Sequence, residues 1–398
     1  MTDHLHLGVA LDGAGWHPAA WREDKATPER IFQPGYWVDL VQWAESGLLD
    51  FVTIEDSLAL QSDDPFTSDE RTDRVRGRLD AELIAARVSP VTKNIGLIPT
   101  IVTSSTEPFH VSKAIATLDY TSKGRAGVRV QVGGRNGEFS HFGRREEIAL
   151  NREDYGTPAF EEHIRDAFDE AADYVEVIRR LWDSWEDDAE IRDGATGRFI
   201  DRDKLHYIDF EGRWFSVKGP SITQRPPQGQ PLVAALAHID IPFELVGRSA
   251  DLGFITPFDA ADAAIKSGKI RIAQAAAGRA DETVHVLGDL VVFLDDDHDT
   301  AVARKERLDE VAGREYESDA LIFTGTAAEL ADLLLDWQLS GLTGYRLRPG
   351  AVPHDLGQIV NRLVPELQKR DAFRTSYESS TLRGHFGLAR PANRYAAV

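Results

Sequence analysis

IGLIPTIVTSSTEPFHVSKAIATLDYTSKGRAGVRVQVGGRNG, residues 95–137, decides the fold. It lies in a longer unit, Asp80 to Gly143, that opens with a helix-like segment at Ala81–Val88. Ile95–Val102 is an apolar run of strand length, Thr103–Thr106 is a Ser/Thr-rich turn, and Pro108–Tyr120 reads as a helix. A second strand, Ala126–Val132, then runs into Gly133 and Gly134. Strand, polar loop, helix, strand, glycine loop is the grammar of a βαβ unit with a parallel sheet. In such folds the loops that follow the strands carry the chemistry. Thr103, Ser104 and Ser105, together with Gly133 and Gly134, are therefore expected on two adjacent strand ends that face one ligand.

The same grammar extends in both directions. His6–Leu11 reads as the first buried strand, ending at Asp12-Gly13, and Asp50–Ile54 as the second, closing with Glu55 and Asp56. Pro231–Ala237, Gly253–Thr256, Val284–Phe293 and Gly344–Leu347 supply four more. Helical spacing appears at Pro34–Gly47, and again at Asp166–Trp182, where Phe168, Ala171, Ala172, Val175, Ile178 and Trp182 share one face. Further helices are predicted at Phe243–Ser249, Ala260–Ala276, Thr300–Ala312, Ala327–Leu339 and Asp355–Leu363, the last stopping near Pro365. Eight strands alternating with helices is the count for an α/β fold of the (β/α)8 TIM-barrel type. Glu186–Gln230 breaks the rhythm with charge, glycines and Pro226-Pro227, and reads as an insertion with a small hairpin, Tyr207–Phe210 against Trp214–Val217. Arg374–Val398 lacks periodicity and is expected to wrap the body or a neighbouring subunit. The expectation is one barrel domain over residues 1–398.

Composition narrows the partners. With 45 basic against 66 acidic side chains the net charge is −21, which disfavours nucleic acid or an anionic membrane as a partner. No cysteine is present, so disulfides, thiolate metal sites and a cysteine nucleophile are excluded. Met1–Leu11 lacks the pattern of a signal peptide, and no run of about 18 apolar residues is present. A cytoplasmic location is the expectation.

If the chain is a barrel, the mouth is lined by Asp12–Trp21, Glu55-Asp56-Ser57, Thr103–Thr106, Gly133–Asn136 and Ala237-His238-Ile239-Asp240. The twelve histidines are dispersed, and His4-x-His6 falls at the barrel's other end, so no metal site is predicted. G-x-S-x-G and a Walker loop are absent. Gly133-Gly134-Arg135-Asn136-Gly137 is phosphate-friendly, although such clusters after strands are commonly plain turns. Glu55, Asp56 and Asp240 leave a carboxylate pair possible without singling one out. Spacing alone stops at an α/β barrel that binds a small molecule.

Several separated stretches go further. Gly15-Trp16-His17-Pro18-Ala19-Ala20-Trp21-Arg22 is similar to G-x-H-x-x-A-W-R, and Glu107-Pro108-Phe109-His110 with Leu118-Asp119 and Gly124-Arg125-Ala126-Gly127 to E-P-Y-x…L-D…G-R-x-G. Leu181-Trp182-Asp183-Ser184-Trp185, Pro227-Gln228-Gly229-Gln230-Pro231, Val364-Pro365-Glu366-Leu367-Gln368 and Thr381-Leu382-Arg383 complete an ordered set. Together they resemble the bacterial-luciferase-like flavin-dependent monooxygenases, in the branch that holds nitrilotriacetate, dibenzothiophene-sulfone and long-chain alkane monooxygenases. The likeness spans nearly the whole chain.

The resemblance implies a (β/α)8 barrel that binds reduced FMN, supplied by a separate flavin reductase. The flavin reacts with O2 through a C4a-(hydro)peroxide and passes one oxygen atom to a small organic substrate. A homodimer or homotetramer is implied as well. It places Glu55, Asp56 and Thr103 near the isoalloxazine and ribityl chain, and makes His17 the catalytic candidate, as a donor or proton shuttle; a structural histidine bonded to backbone is the alternative. Gly133, Phe168, Ala237 and His238 complete the cofactor-binding set together with Arg129. Here the chain departs from the pattern. Arg129 replaces an asparagine, and either holds an anionic N1–C2=O edge of reduced flavin or fills part of the flavin space. Gly133-Gly134 replace a Thr/Ser-rich turn, and Phe168 replaces a tyrosine. Ala237–Asp240 offers no serine for phosphate, leaving Arg248 or His238 for that role. Deazaflavin F420 is the alternative cofactor, and a non-catalytic flavin-binding or partner subunit the alternative role.

Overall fold

Eight strands pair in parallel, each with the next, and the last closes on the first. The computed structural model describes residues 4–62, 69–135, 137–142, 152–154 and 156–396. In chain order come β1 (His6–Leu11), α1 (Pro34–Ser46), β2 (Phe51–Ile54), α2 (Ala81–Val88), β3 (Gly96–Val102), α3 (Pro108–Ser122), β4 (Gly127–Gln131) and α4 (Pro158–Asp183). Then follow β5 (Leu232–Ala237), α5 (Asp240–Ser249), β6 (Leu252–Ile255), α6 (Ala260–Ala276), β7 (His285–Asp295), α7 (His298–Ala312), α8 (Ala327–Gln338) and β8 (Gly344–Pro349). Neighbours pair in sequence order from β1 to β8, and β8 returns to β1 with Leu7 opposite Tyr345. All eight expected strands form and close as a (β/α)8 barrel.

Local chemistry sets the boundaries. α3 begins at Pro108, where a missing N–H costs nothing, and ends at Lys123 in the left-handed region (φ 59°), followed by Gly124 (φ 89°). α8 starts on a capping box, with Thr326 Oγ1 accepting from Glu329 N and the Glu329 carboxylate accepting from Thr326 N. A ninth parallel strand, Ile322–Thr326, was not expected; it pairs with Val291–Asp295 of the long β7, outside the closed ring. Its sequence, IFTGT, is half-buried and too short to show alternation. The last helix also departs from expectation, running on to Lys369 through Pro365. A single π turn at Ile359–Leu363 precedes it and places Pro365 in the first turn of the following segment, where no N–H is needed. The insertion carries the expected hairpin as Phe210–Glu211 with Ser216–Val217, and a second one as Glu190–Asp193 with Arg198–Ile200.

The barrel's lower interior is apolar. Phe51, Ile98, Leu232, Phe254 and Leu287 pack there, and the tail adds Leu382 and Phe386 from below. Two glycines make room: a Cβ on Gly8 would stand 2.3 Å from the Phe51 ring, and one on Gly96 would stand 2.3 Å from Leu382 Cδ1. The tail is therefore wrapped on its own body. His285 Nε2 donates to Phe386 O at 3.0 Å, His385 Nε2 to Asn94 O at 2.7 Å, and Arg374 pairs with the fully buried Asp50.

Two outcomes are expected. Leu382→Ala should lower stability by about 2–5 kcal/mol in urea unfolding, the range for opening a cavity at a buried leucine. Burial, assisted by His6, pulls His285 down to about 4 from an ordinary 6.5. The folded chain thus stays neutral there while the unfolded chain takes up a proton, so stability falls as pH drops from about 6.5 towards 4. His285→Gln, which keeps an N–H donor but cannot titrate, should flatten that part of the urea-midpoint profile.

Candidate active site

Above the apolar plug the barrel interior turns charged. Strand alternation brings Thr53 and Glu55 from the β2 end, Thr100 from β3, Arg129 and Gln131 from β4, Asp289 from β7 and Arg346 and Arg348 from β8 into one layer. Asp289 is the hub. Its Oδ1 accepts from Arg346 Nε at 2.9 Å, and its Oδ2 accepts from Arg348 Nε at 2.9 Å and Nη2 at 2.6 Å as well as from Arg346 Nη2. Glu55 bridges the other side, accepting from Arg129 Nη1 at 2.9 Å and from Arg346 Nη1 at 3.1 Å. Burial opposes ionisation of Glu55 and Asp289, yet the adjacent guanidiniums outweigh it and hold both below the usual carboxylate range. The Arg346 guanidinium lies over the Phe254 ring at 4.4 Å, so the charged layer rests directly on the apolar plug.

The rim is built by the loops after the strands. Gly15 (φ 124°) presses the first loop against β8's end; a Cβ there would stand 2.6 Å from Gly350 O. Trp16 then packs on the Arg348 guanidinium at 4.6 Å, and Arg348 also pairs with Asp319 at 2.6 Å. His17 is buried, and both ring nitrogens are engaged. Nδ1 accepts from Ala19 N at 3.0 Å, so Nε2 carries the proton and donates to Asp309 Oδ1 at 3.0 Å. Burial lowers its pKa against the pull of Asp309. In this arrangement the ring ties the first loop to α7 and offers no free nitrogen.

The other expected residues divide into two groups. Glu55 and Arg129 form the floor, and His238 stands at the end of β5, with Nδ1 2.9 Å from Thr256 Oγ1 and Nε2 3.4 Å from Asp319. Asp56 turns away to accept from Ala81 N at 2.9 Å, capping α2. Thr103 donates to Gln131 O at 3.2 Å and stitches the β3 and β4 ends together. Ala237 is fully buried in the core between strands and helices, and Phe168 packs against that core from α4. Arg248 lies in the last turn of α5, which runs antiparallel to the strands, so it sits at the barrel's far end and pairs loosely with Asp169 and Asp173. Asn136 is outside the described residues.

The glycine loop has an internal occupant. Gly134 N and Arg135 N donate to Glu138 Oε2 at 3.1 and 3.3 Å, Gly133 N donates to Ser104 Oγ at 2.8 Å, and a Cβ on Gly133 would stand 2.8 Å from that same Glu138 oxygen. Sequence reasoning missed Glu138, and it missed Asp289, Arg346, Arg348 and Asp319. A signal existed for three of them: an aspartate inside the apolar run HVLGDLVVFLD, and two arginines at a spacing of two in GYRLRP, have only the barrel interior to point into.

Among the described residues, three buried polar atoms around this mouth have no protein partner: Trp16 Nε1, Ser105 Oγ and Arg129 Nε. Such atoms in a native fold call for a water or a ligand with complementary groups. A flavin, rich in carbonyl and ring-nitrogen acceptors, fits that donor set.

A closed parallel barrel with a charged, ordered layer below its C-terminal mouth places the chain in the TIM-barrel class, whose sites are built at that mouth. The model of the luciferase-like monooxygenases matches residues 14–332, and the chain belongs to that family. N-acetyl-S-(2-succino)cysteine monooxygenase of Bacillus subtilis is 32% identical, with 98% of each chain covered. Nitrilotriacetate monooxygenase component A of Aminobacter aminovorans is 28% identical over 98% of each. The crystal structure of long-chain alkane monooxygenase superposes with a TM-score of 0.84 at 23% identity, covering 97% of this chain and 96% of that one. The chain is accordingly a monooxygenase of this family.

The Asp289 hub gives a test. Asp289→Ala leaves Arg346 with Glu55 alone and strips Arg348 of its buried counter-ion, and should cost about 3–5 kcal/mol in urea unfolding. Asp319→Ala removes a half-exposed partner and should cost less than about 1 kcal/mol.

Proposed function

We propose that this chain is the oxygenating component of a two-component system: it receives reduced FMN from a separate reductase and inserts one atom of O2 into a small organic substrate. The full-length relation to proteins named as monooxygenases, one of them as a component A, carries this reading. The donor set at the mouth supports it. Reduced FMN, when bound, supplies the two electrons; one oxygen atom enters the product and the other leaves as water. Trp16, Ser105 and Arg129 would hold the flavin, through N–H and hydroxyl groups that lack partners among the described residues. The floor contributes rigidity, because each charged group in it is fixed by at least one other. The His17–Asp309 bond fixes the first loop, and with it Trp16, over the mouth. His238, lowered in pKa chiefly by burial, is the rim's neutral imidazole and can accept or donate one proton at its half-exposed edge.

The test is an 18O2 assay with the purified chain, a generic NADH-dependent flavin reductase and FMN. The relatives' named substrates are carboxylate-rich, so N-acetyl-S-(2-succino)cysteine and nitrilotriacetate head the panel. One 18O atom per product is expected. Parallel anaerobic titrations with FMN and with F420 separate the two cofactors, FMN being expected to bind. A chain that binds FMN in neither redox state at high micromolar concentration defeats the proposal.

A further inference from the structure

The loops after β2 and β4 meet over the mouth and carry an unpaired cation there. Ser57, after β2, donates to Glu138 Oε1 at 3.3 Å, and Arg135 Nη1, after β4, donates to Ser62 O at 3.1 Å. β3 lies between these two strands, so both contacts cross above the Thr103–Ser105 turn that follows it. Gly133 N donates to Ser104 Oγ at 2.8 Å and ties that turn to the same bridge. Neighbouring arginines are neutralised where they stand. Arg78 forks onto Asp12 at 3.0 and 2.6 Å, Arg71 onto Asp73 at 2.8 and 2.6 Å, and Arg348 lies between Asp289 and Asp319. Arg135 is different. Among the described residues its half-buried side chain makes one hydrogen bond, to the Ser62 carbonyl, and no ion pair. Burial first, then Arg78, lower its pKa against the pull of Glu138 and Asp12. The Glu138 carboxylate is engaged by Gly134 N, Arg135 N and the Ser57 hydroxyl, so it leaves the guanidinium without a contact partner.

The geometry also selects the kind of anion. A phosphate calls for several converging donors, and the backbone N–H groups that would supply them here already hold Glu138. What remains is the planar edge of one guanidinium, which matches the two oxygens of a carboxylate. Resting on the monooxygenase reading above, we infer that Arg135 sets substrate specificity: it receives a carboxylate of the organic molecule and holds that molecule by its anionic end across the β3 turn. The chain carries a net charge of −21, so an organic anion is repelled at long range and its binding depends on a specific local cation. A neutral molecule of the same shape leaves the guanidinium uncompensated and binds more weakly.

The experiment is titration calorimetry of the purified chain, with and without oxidised FMN. The probes are N-acetyl-S-(2-succino)cysteine, nitrilotriacetate and the methyl esters of both. The wild-type chain should bind at least one of the acids, and its ester roughly tenfold or more weakly. Arg135→Gln should weaken the acid by roughly tenfold to a hundredfold, the span of one hydrogen bond to a charged group, and leave the ester unchanged. Arg135→Lys keeps the charge without the fork and should recover part of the affinity. Arg248→Gln removes one positive charge at the barrel's far end and should change neither. FMN and riboflavin, titrated into the wild-type and Arg135→Gln chains, separate the two sources of an anionic group. If the variant loses FMN relative to riboflavin yet keeps the acids, Arg135 serves the cofactor phosphate and the inference is overturned. Acids and esters that bind alike, acids indifferent to Arg135→Gln, or acids that fail to bind the wild-type chain at high millimolar concentration overturn it as well. Acid binding that depends on Arg135, in a chain that inserts 18O into no compound, rejects the proposed function while the carboxylate site stands.

Discussion

Asp289 accepts hydrogen bonds from two arginines on the neighbouring strand, and much of the site depends on that one carboxylate. β8 places Arg346 and Arg348 two residues apart, so both side chains enter the barrel interior. Without a counter-ion of complete burial, two adjacent guanidiniums there would repel each other and keep water in the barrel. Asp289 sits on β7 in register with Arg346, so the pair is set by strand pairing itself. The other half of the layer follows from the arginine left over: Arg346 reaches across to Glu55, and Glu55 fixes Arg129. A charged layer spanning four of the eight strands results, with its geometry tied to sheet register.

The barrel is consequently divided. Its lower part is sealed by aromatic and aliphatic side chains and by Leu382 and Phe386 from the tail; its upper part is an ionic floor open to the mouth. The motif blocks that reveal the family serve mainly the lower part. Asp119 of the L-D block accepts from Gln228 Nε2 at 2.6 Å and from Ala126 N at 3.1 Å, and Gln228 Oε1 accepts from Arg383 N at 2.8 Å. Three blocks more than 100 residues apart in sequence thus meet in one clamp at the barrel's base. They report the fold and carry no ligand chemistry of their own.

This explains which features were legible in the chain. The eight barrel strands were readable because each is a short buried run bounded by turn residues, and α6 was readable at both ends because its periodicity stops at Asp259 and Ala277. The outer strand at Ile322–Thr326 was not, since half-burial removes the apolar signal. At the site, Glu55 and Arg129 were found because they fall at strand ends, where position alone marks them. Asp56, Thr103 and Ala237 fall at strand ends too, yet one caps a helix, one stitches two strands and one faces the helices. Position after a strand fixes where a residue is, and the parity of the strand and the nearest unsatisfied N–H decide where its side chain goes. Asp289 lies deep within a strand, so a search confined to strand ends passes over it.

The glycine loop shows how the two anion-seeking features of this mouth differ. Successive backbone N–H groups at Gly133–Arg135 form a concavity suited to a negative oxygen, and Glu138 from the same loop already fills it. An external phosphate or carboxylate entering there would have to displace an oxygen with two N–H donors and leave a buried carboxylate without them. At Arg129 the situation differs: among the described residues its Nε–H has no acceptor, and the Glu55 carboxylate beside it is divided between two arginines. Negative charge on a guest is therefore redundant at the backbone N–H groups of the glycine loop. The loop looked like the anion site because its sequence shows the donors; the carboxylate that occupies them stands at Glu138, the residue just after the glycine run.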